Sequence, residues 1–204
     1  MSAFPSTFAR SLFVATAAVS VAGCGINSIP TAEEQAKAKW ADVQAAFQER
    51  ANLIPNLAAV VKGAADTEKG ILVGVTEARA KATSVQLAPG DLSDPAKMKA
   101  FQDAQNNLSG SLVPLGRLLA NTEAYPNLKS IENYQTLQSQ LEGQENRIRV
   151  ALRDYNEAVR QYNTEIRTFP SVIGAKVIYG SKPMVPYQAV TPGAEVAPSL
   201  DGKI

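Results

Sequence analysis

The chain has 204 residues and a formal net charge of +1, which gives no electrostatic reason to expect a nucleic-acid partner. It contains no histidine and a single cysteine, Cys24. Histidine-dependent catalysis, histidine zinc sites and an internal disulfide are therefore excluded. Hydrophobic residues make up 45% of the chain and aromatic residues only 6%, a balance that favours helix over sheet. We expect neither a cofactor nor a resident metal.

The N-terminal residues 1–23 have the pattern of an export signal. An apolar run, SLFVATAAVSVAG (11–23), follows Arg10 and is too short to cross a bilayer core of about 30 Å. The sequence VAGC (21–24) resembles the bacterial lipobox, which implies cleavage before Cys24 and its acylation, so that membrane lipid holds the chain. Because Gly25 follows, sorting by enterobacterial rules favours the outer membrane. An ordinary signal peptide with an accidental cysteine and a short buried helix are the alternatives.

Helical periodicity begins after a short polar tether, residues 24–31. Thr31 and Glu34 have the spacing of a capping box, which predicts a helix with Thr31 as its N-cap. Apolar residues then recur at steps of three and four on both sides of Pro55. Proline lacks the backbone donor that a helix interior needs, so Pro55 either kinks one long helix or separates two.

The second half of the chain repeats this pattern. Asp94 and Pro95 are expected to be the N-cap and first residue of another helix, which Pro114 should bend. The clearest apolar stripe runs through residues 131–169, and Pro170 should end that helix. The segment after it, SVIGAKVIYG, is compatible with either a short helix or an extended stretch.

Several long amphipathic helices with short connections predict an all-α fold, an antiparallel up-and-down four-helix bundle with long, kinked helices. The predicted organisation is a signal peptide at 1–23, a lipidated tether at 24–31 and a helical bundle at 32–180. Four prolines after residue 180 predict a flexible tail at 181–204.

Polar residues interrupt the apolar stripes at a few positions. Glu68, Gln105 and Glu145 stand where an apolar side chain is expected, and Glu123 lies at the end of the third stretch. A buried carboxylate needs a partner or a proton. The candidate partners are basic residues nearby: Arg50, Arg79, Lys129 and Arg147. We predict an inter-helix polar network made of Glu68, Arg79, Glu123, Glu145, Arg147, Asn156 and Asn163.

Three interpretations of these glutamates remain open. The first is a buried network, or a solvated edge, that fixes the register of the helices. The second is a small polar ligand site between helices. The third is a carboxylate metal site of the di-iron kind, which the lack of histidine disfavours because such sites pair Glu-x-x-His motifs.

A tyrosine–asparagine pair occurs twice in the last helix, seven residues apart, at Tyr155-Asn156 and Tyr162-Asn163. The tyrosines extend the apolar seam and the asparagines fall beside it. We interpret the repeat as core packing with hydrogen-bonded flanks. A recognition groove for a partner helix is the alternative.

Several motifs carry a family resemblance. They are RANLIPNLAAVVKGAADTE (50–68), EAYPNLKS (123–130), QENRIRVALRDYNEAVRQYNTEIRTFPS (144–171) and VPYQ (185–188). In this order they resemble the LemA family, over roughly Glu33 to Tyr187. The resemblance implies a membrane-attached bacterial protein with a four-helix, up-and-down bundle on the far side of the membrane from the cytoplasm. Members usually carry an N-terminal transmembrane helix, and a lipobox-like segment takes its place here.

Together these features predict an exported lipoprotein that acts as a non-catalytic interaction or scaffold protein of the cell envelope, with an envelope protein of unknown identity as its partner. The alternative is a helical bundle that binds a small ligand or cation through Glu68, Glu123 and Glu145. No catalytic constellation supports an enzyme.

Overall fold

The computed structural model describes residues 27–64, 69–120 and 134–188, and within these ranges the chain is helical without any strand. Helix α1 is Ser28–Ala64, α2 is Lys69–Ser84, α3 is Pro95–Ala120 and α4 is Tyr134–Glu165. A 3₁₀ turn, Pro89–Ser93, precedes α3. A short helix, α5 (Ser171–Gly174), runs into a π-helical turn, Ala175–Tyr179. The all-α class predicted from composition and periodicity is confirmed.

Helix α1 begins one turn earlier than the sequence predicts. The helix starts at Ser28, and the Thr31 hydroxyl donates a hydrogen bond of 2.9 Å to the carbonyl of Asn27. Glu34 accepts a hydrogen bond of 2.7 Å from Lys37, so the predicted capping box is wrong. Pro30 fits the first helical turn, because the backbone N–H that proline lacks has no helical partner there.

Prolines stand inside two of the long helices without ending them. Pro55 lies in α1, and its neighbours Ile54 and Leu57 are buried in the core. Pro114 lies in α3 next to the buried Leu115. Burial of these apolar side chains offsets the lost backbone hydrogen bond, which is why the helices continue.

The start of α3 is as predicted. The Asp94 carboxylate accepts hydrogen bonds from the backbone N–H groups of Ala96 (2.9 Å) and Lys97 (3.2 Å). The Asp94 carbonyl accepts the first helical bond from Met98 at 3.0 Å. Asp94 is thus the N-cap, and Pro95 occupies the position where its missing donor is harmless.

Helices α1 and α4 form the most extensive contact and run in opposite directions. Ser28, at the start of α1, donates a hydrogen bond to Glu165, at the end of α4. Further along, the rings of Trp40 and Tyr155 lie 5.0 Å apart, and Arg50 meets the carboxylate of Glu145. Helices α2 and α3 pair across the turn that joins them.

The hydrophobic core consists of two clusters of buried side chains between the helices. One surrounds the rings of Trp40, Phe101 and Tyr155, which pack edge to face or tilted. The other is aliphatic and contains Leu57, Leu108 and Leu115. Arg50 lies at the boundary between them in sequence, so one buried charge separates the two apolar regions.

The structure differs from the expectation of a loose tail over residues 181–188. This extended segment lies against α4, and its Met184 and Tyr187 side chains are buried. The Val185 N–H donates a hydrogen bond of 2.8 Å to the carbonyl of Leu92, in the 3₁₀ turn. Composition predicts a flexible tail there because it contains no information about hydrogen bonds between residues that are far apart in sequence.

Within the described ranges, no helix combines the length and the apolar character required to span a bilayer.

Candidate functional site

Arg50 is the centre of the polar contacts between helices. Arg50 is only 1% exposed, so its guanidinium needs polar partners inside the protein. One of its terminal nitrogens, Nη1, donates to Ser109 Oγ at 2.9 Å and to Glu145 Oε1 at 3.1 Å. The other, Nη2, donates to Gln105 Oε1 at 2.9 Å. The guanidinium carbon also lies 5.0 Å from the centre of the Phe47 ring, a cation–π distance.

Gln105 and Arg79 extend these contacts to α2. The Gln105 amide nitrogen donates to the carbonyl of Ala82 at 3.2 Å, while its oxygen accepts from Arg50. Arg79 Nε donates to the carbonyl of Ala51 at 2.7 Å. Arg50, Gln105 and their partners thereby connect all four long helices through directional bonds, which specify one register.

The predicted inter-helix network divides into separate groups. Glu145 joins Arg50, but the Glu145 side chain is 50% exposed, so water solvates its carboxylate as well. Arg147 lies at the surface and donates to Glu49 Oε2 at 3.0 Å. Glu68, Glu123, Lys129 and Cys24 lie outside the described residues. Across the parts of the chain that the structure describes, no three acidic or cysteine side chains converge as metal ligands.

Sequence reasoning named Arg50 only as a partner and missed Ser109. The signal for Arg50 was its position three residues after Phe47, on the face of α1 that carries the apolar stripe. Ser109 had no such signal, because serine is common on both faces of a helix and its partner is 59 residues away.

The Tyr–Asn repeat holds the extended segment 181–188 rather than a partner helix. Asn163 Nδ2 donates to the carbonyl of Met184 at 2.8 Å, and the Met184 N–H donates back to Asn163 Oδ1 at 2.9 Å. Asn156 makes the same pair of bonds with Tyr187, at 2.9 and 2.8 Å. Each carboxamide thus replaces the backbone partner that a neighbouring strand would supply.

The spacing of the repeat explains this fit. Seven helical residues, from Asn156 to Asn163, advance about 10.5 Å along α4. Three extended residues, from Met184 to Tyr187, advance about 10 Å. The two periods match, so asparagines seven residues apart reach backbone groups three residues apart. Pro183 and Pro186 each stand one residue before a bonded position, where the asparagines need no N–H group.

The tyrosines of the repeat complete the attachment. Tyr155 donates its hydroxyl to the carbonyl of Val185 at 2.9 Å, and Tyr162 donates to that of Lys182 at 3.2 Å. Burial raises the pKa of Tyr155 and also that of Tyr187, the latter to about 12. Both phenols therefore stay protonated in the folded chain, which leaves the Tyr155 hydroxyl available as a donor.

A cleft of about 310 Å³ opens between α1 and the α2–α3 connection. Gln44, Gln48, Gln86 and Gln105 line it with Phe47 and Phe101. Three of these amides are already engaged, Gln44 with the carbonyl of Leu87, Gln48 with Asn52, and Gln105 with Arg50 and Ala82. The lining carries no charged side chain, so the cleft suits a neutral molecule better than a cation.

We predict that Asn163→Ala will free the extended segment locally. The substitution removes both hydrogen bonds to Met184, so the Met184 amide should exchange with solvent about tenfold faster, in keeping with a loss of about 1.5 kcal/mol. Hydrogen exchange followed by mass spectrometry or NMR measures this rate. Asn52→Ala, which removes only an exposed side-chain bond to Gln48, is the control. Equal Met184 exchange in Asn163→Ala and wild type would contradict the assignment.

We also predict a loss of stability at alkaline pH. The pKa of Tyr155 is raised in the folded chain, so its contribution to stability is complete below its unfolded pKa of about 10 and declines as the pH rises above that value. Denaturant unfolding at a series of pH values from about 9 to 12 should therefore show a smaller decline for Tyr155→Phe than for wild type. Tyr179→Phe, at an exposed ring, should retain the wild-type decline.

Comparison with known proteins gives a consistent assignment. The family model described as LemA family matches residues 39–201. Magnetosome protein MamQ 1 and MamQ 2 of Paramagnetospirillum magneticum (strain ATCC 700264 / AMB-1) are each 28% identical over 162 residues. Magnetosome protein MamQ of Magnetospirillum gryphiswaldense is 26% identical over the same length. These alignments cover 71% of this chain and 58% of each relative, so the chain matches little more than half of those proteins.

The family match covers most of the chain, including the residues of the Arg50 contacts and both Tyr–Asn pairs, and we conclude that this protein belongs to the LemA family.

Proposed function

We propose that this chain is an exported, lipid-anchored protein of the bacterial cell envelope that acts as a non-catalytic scaffold for another envelope protein. One observation carries the proposal. Each predicted network residue that the structure describes bonds to the chain itself: Arg79, Glu145, Arg147, Asn156 and Asn163. Side chains that are bonded to other parts of the same chain are not free to act on a substrate. This arrangement therefore favours a rigid binding protein over a reactive site.

In this proposal the long helices form an up-and-down four-helix bundle. The antiparallel contact of α1 with α4, the pairing of α2 with α3 and the contact of α1 with α2 support it. The Arg50 hydrogen bonds to α3 and α4 and the Arg79 bond to α1 support the same arrangement. A body of this kind presents long helical faces to a partner while its interior stays fixed.

Membrane attachment in this proposal depends on Cys24. The lipobox-like sequence before it supports lipidation, and family membership supports a place at a membrane. The outer membrane is the proposed location in a cell that has one. The names of the MamQ relatives denote a magnetosome protein and no reaction, which agrees with a protein that binds rather than catalyses.

A second candidate function is the binding of a small ligand. The cleft of about 310 Å³ beside Phe47 and Gln105 favours it, since its volume reaches the lower range of ligand pockets. Of the three glutamates first assigned to such a site, only Glu145 lies in the described residues. Its carboxylate faces both Arg50 and solvent, so a cation there would compete with the guanidinium.

The lipid anchor is tested by Cys24→Ser. We expect the wild-type protein to fractionate with membranes and to carry acyl groups on Cys24 by mass spectrometry. The variant should lose both, because acyl chains supply most of the affinity for the bilayer. Met98→Leu, a conservative change in the buried core, controls for expression. Membrane retention of an unacylated Cys24→Ser protein at the wild-type level would contradict the anchor.

The scaffold and ligand functions are separated by Glu145→Gln. A scaffold predicts a change in unfolding free energy of at most about 1 kcal/mol, since the exposed carboxylate is only one of the partners of Arg50. A cation site at Glu145 predicts that cations raise the melting temperature of the wild type and not of the variant. Arg147→Gln, at an exposed ion pair, is the matched control. A cation-dependent shift confined to proteins with Glu145 would overturn the scaffold function.

A further inference from the structure

A cluster of large apolar side chains is exposed at one end of the molecule. Phe169 is 79% exposed and Val177 is 78% exposed, and Ile173, Ile178 and Tyr179 are also largely in solvent. We call these five residues the apolar tip. Single exposed apolar residues are common, but five within eleven positions form a patch of the kind that marks a binding surface.

The apolar tip is held rigidly. The opposite side of the same segment is buried, with Ser171, Gly174 and Ala175 packed against the body of the protein. Ile173 and Val177 are four residues apart and so point the same way from the helix. At its end, Gly180 adopts a left-handed conformation with a φ of 57°, and the Ser181 N–H bonds back to the carbonyl of Ala175 at 2.9 Å.

Three basic residues lie near the apolar tip in sequence. Arg167, Lys176 and Lys182 are exposed beside it. The nearby carboxylate of Glu165, two residues before Arg167, accepts hydrogen bonds from Ser28 and, at 2.6 Å, from Ser171. Exposed apolar side chains interspersed in sequence with lysine and arginine match the interface of an anionic bilayer, where hydrocarbon lies beneath negatively charged headgroups.

The apolar tip also lies at the end of the protein that carries the proposed anchor. Ser28 contacts Glu165, and Glu165 contacts Ser171 in α5. Cys24 is four residues before Ser28, so even a fully extended connection spans at most about 14 Å. Acyl chains on Cys24 would bring the tip within reach of the lipid surface.

We propose that the apolar tip inserts into the interfacial layer of an anionic lipid bilayer and, together with the acyl chains, holds the α1–α4 pair at a fixed angle to the membrane. The argument from Cys24 rests on the proposed function, whereas the apolar tip and its basic neighbours are independent of it. Arg50 and Glu145 lie about 30 Å along α4 from Glu165, so this end of the molecule meets lipid and the opposite end is presented to a partner.

The test places an environment-sensitive fluorophore on Val177→Cys in the full-length, membrane-purified protein. The protein is reconstituted in vesicles of phosphatidylethanolamine and phosphatidylglycerol, with and without lipids that carry a nitroxide quencher. We expect a blue-shifted emission and a loss of fluorescence on the quencher vesicles. Val113→Cys is the matched control, because Val113 is also exposed and apolar but lies on α3, far from the tip. Its label should keep its aqueous emission and remain unquenched.

The same samples distinguish failure of the anchor from failure of the tip. Mass spectrometry reports acylation of Cys24 on each labelled protein. An unquenched label at position 177 on an acylated, vesicle-bound protein overturns the apolar tip while the anchor stands. A quenched label on a protein with unmodified Cys24 supports the tip and overturns the anchor. A label that is blue-shifted before vesicles are added, and that the quencher lipids leave unchanged, shows that protein covers this surface and overturns the proposal.

Discussion

The charge of Arg50 is the constraint on which the arrangement of the helices depends. A guanidinium that is 1% exposed must have polar partners, because an unpaired buried charge costs several kcal/mol. Its partners come from α3 and α4, and Gln105 continues the chain of bonds to α2. A shift of any one helix by a single residue would separate these groups. The apolar stripes drive the helices together, while Arg50 selects which of several similar packings forms.

A second set of polar contacts holds the extended segment 181–188 on the outer side of α4. The Tyr–Asn repeat works because two helical turns and three extended residues have nearly equal lengths, so α4 offers hydrogen-bonding groups at the period of a strand. The extended segment 181–188 in turn bonds to the 3₁₀ turn at Leu92. Among the described residues of the family motifs, Arg50, Asn156 and Asn163 thus hold the helices and the extended segment together. What remains for recognition is the outer surface, of which the apolar tip is the most distinctive part.

Local signals predicted part of this structure well. Asp94 before Pro95 identifies the start of α3, and the long apolar stripe identifies α4. Both features are predictable because a helix cap and an apolar periodicity depend on residues that are close together in sequence. The sequence misplaces the start of α1 because Pro30, which is compatible with a first helical turn, also fits a polar tether. The role of Arg50 and the attachment of residues 181–188 were missed for another reason. Their partners are 20 to 95 residues away in sequence, and periodicity indicates which face is buried but not what it meets.

The direction of the extended segment determines where the chain departs from its body. It begins beside the apolar tip and ends beside Asn156, nine residues back along α4 from Glu165. Measured along α4, the end of the described segment therefore lies about 13 Å from Glu165, which is close to the apolar tip. A reporter domain fused directly after residue 188 would therefore start from the side of α4 rather than from the apolar tip. Such a fusion leaves the apolar tip accessible in imaging or affinity capture.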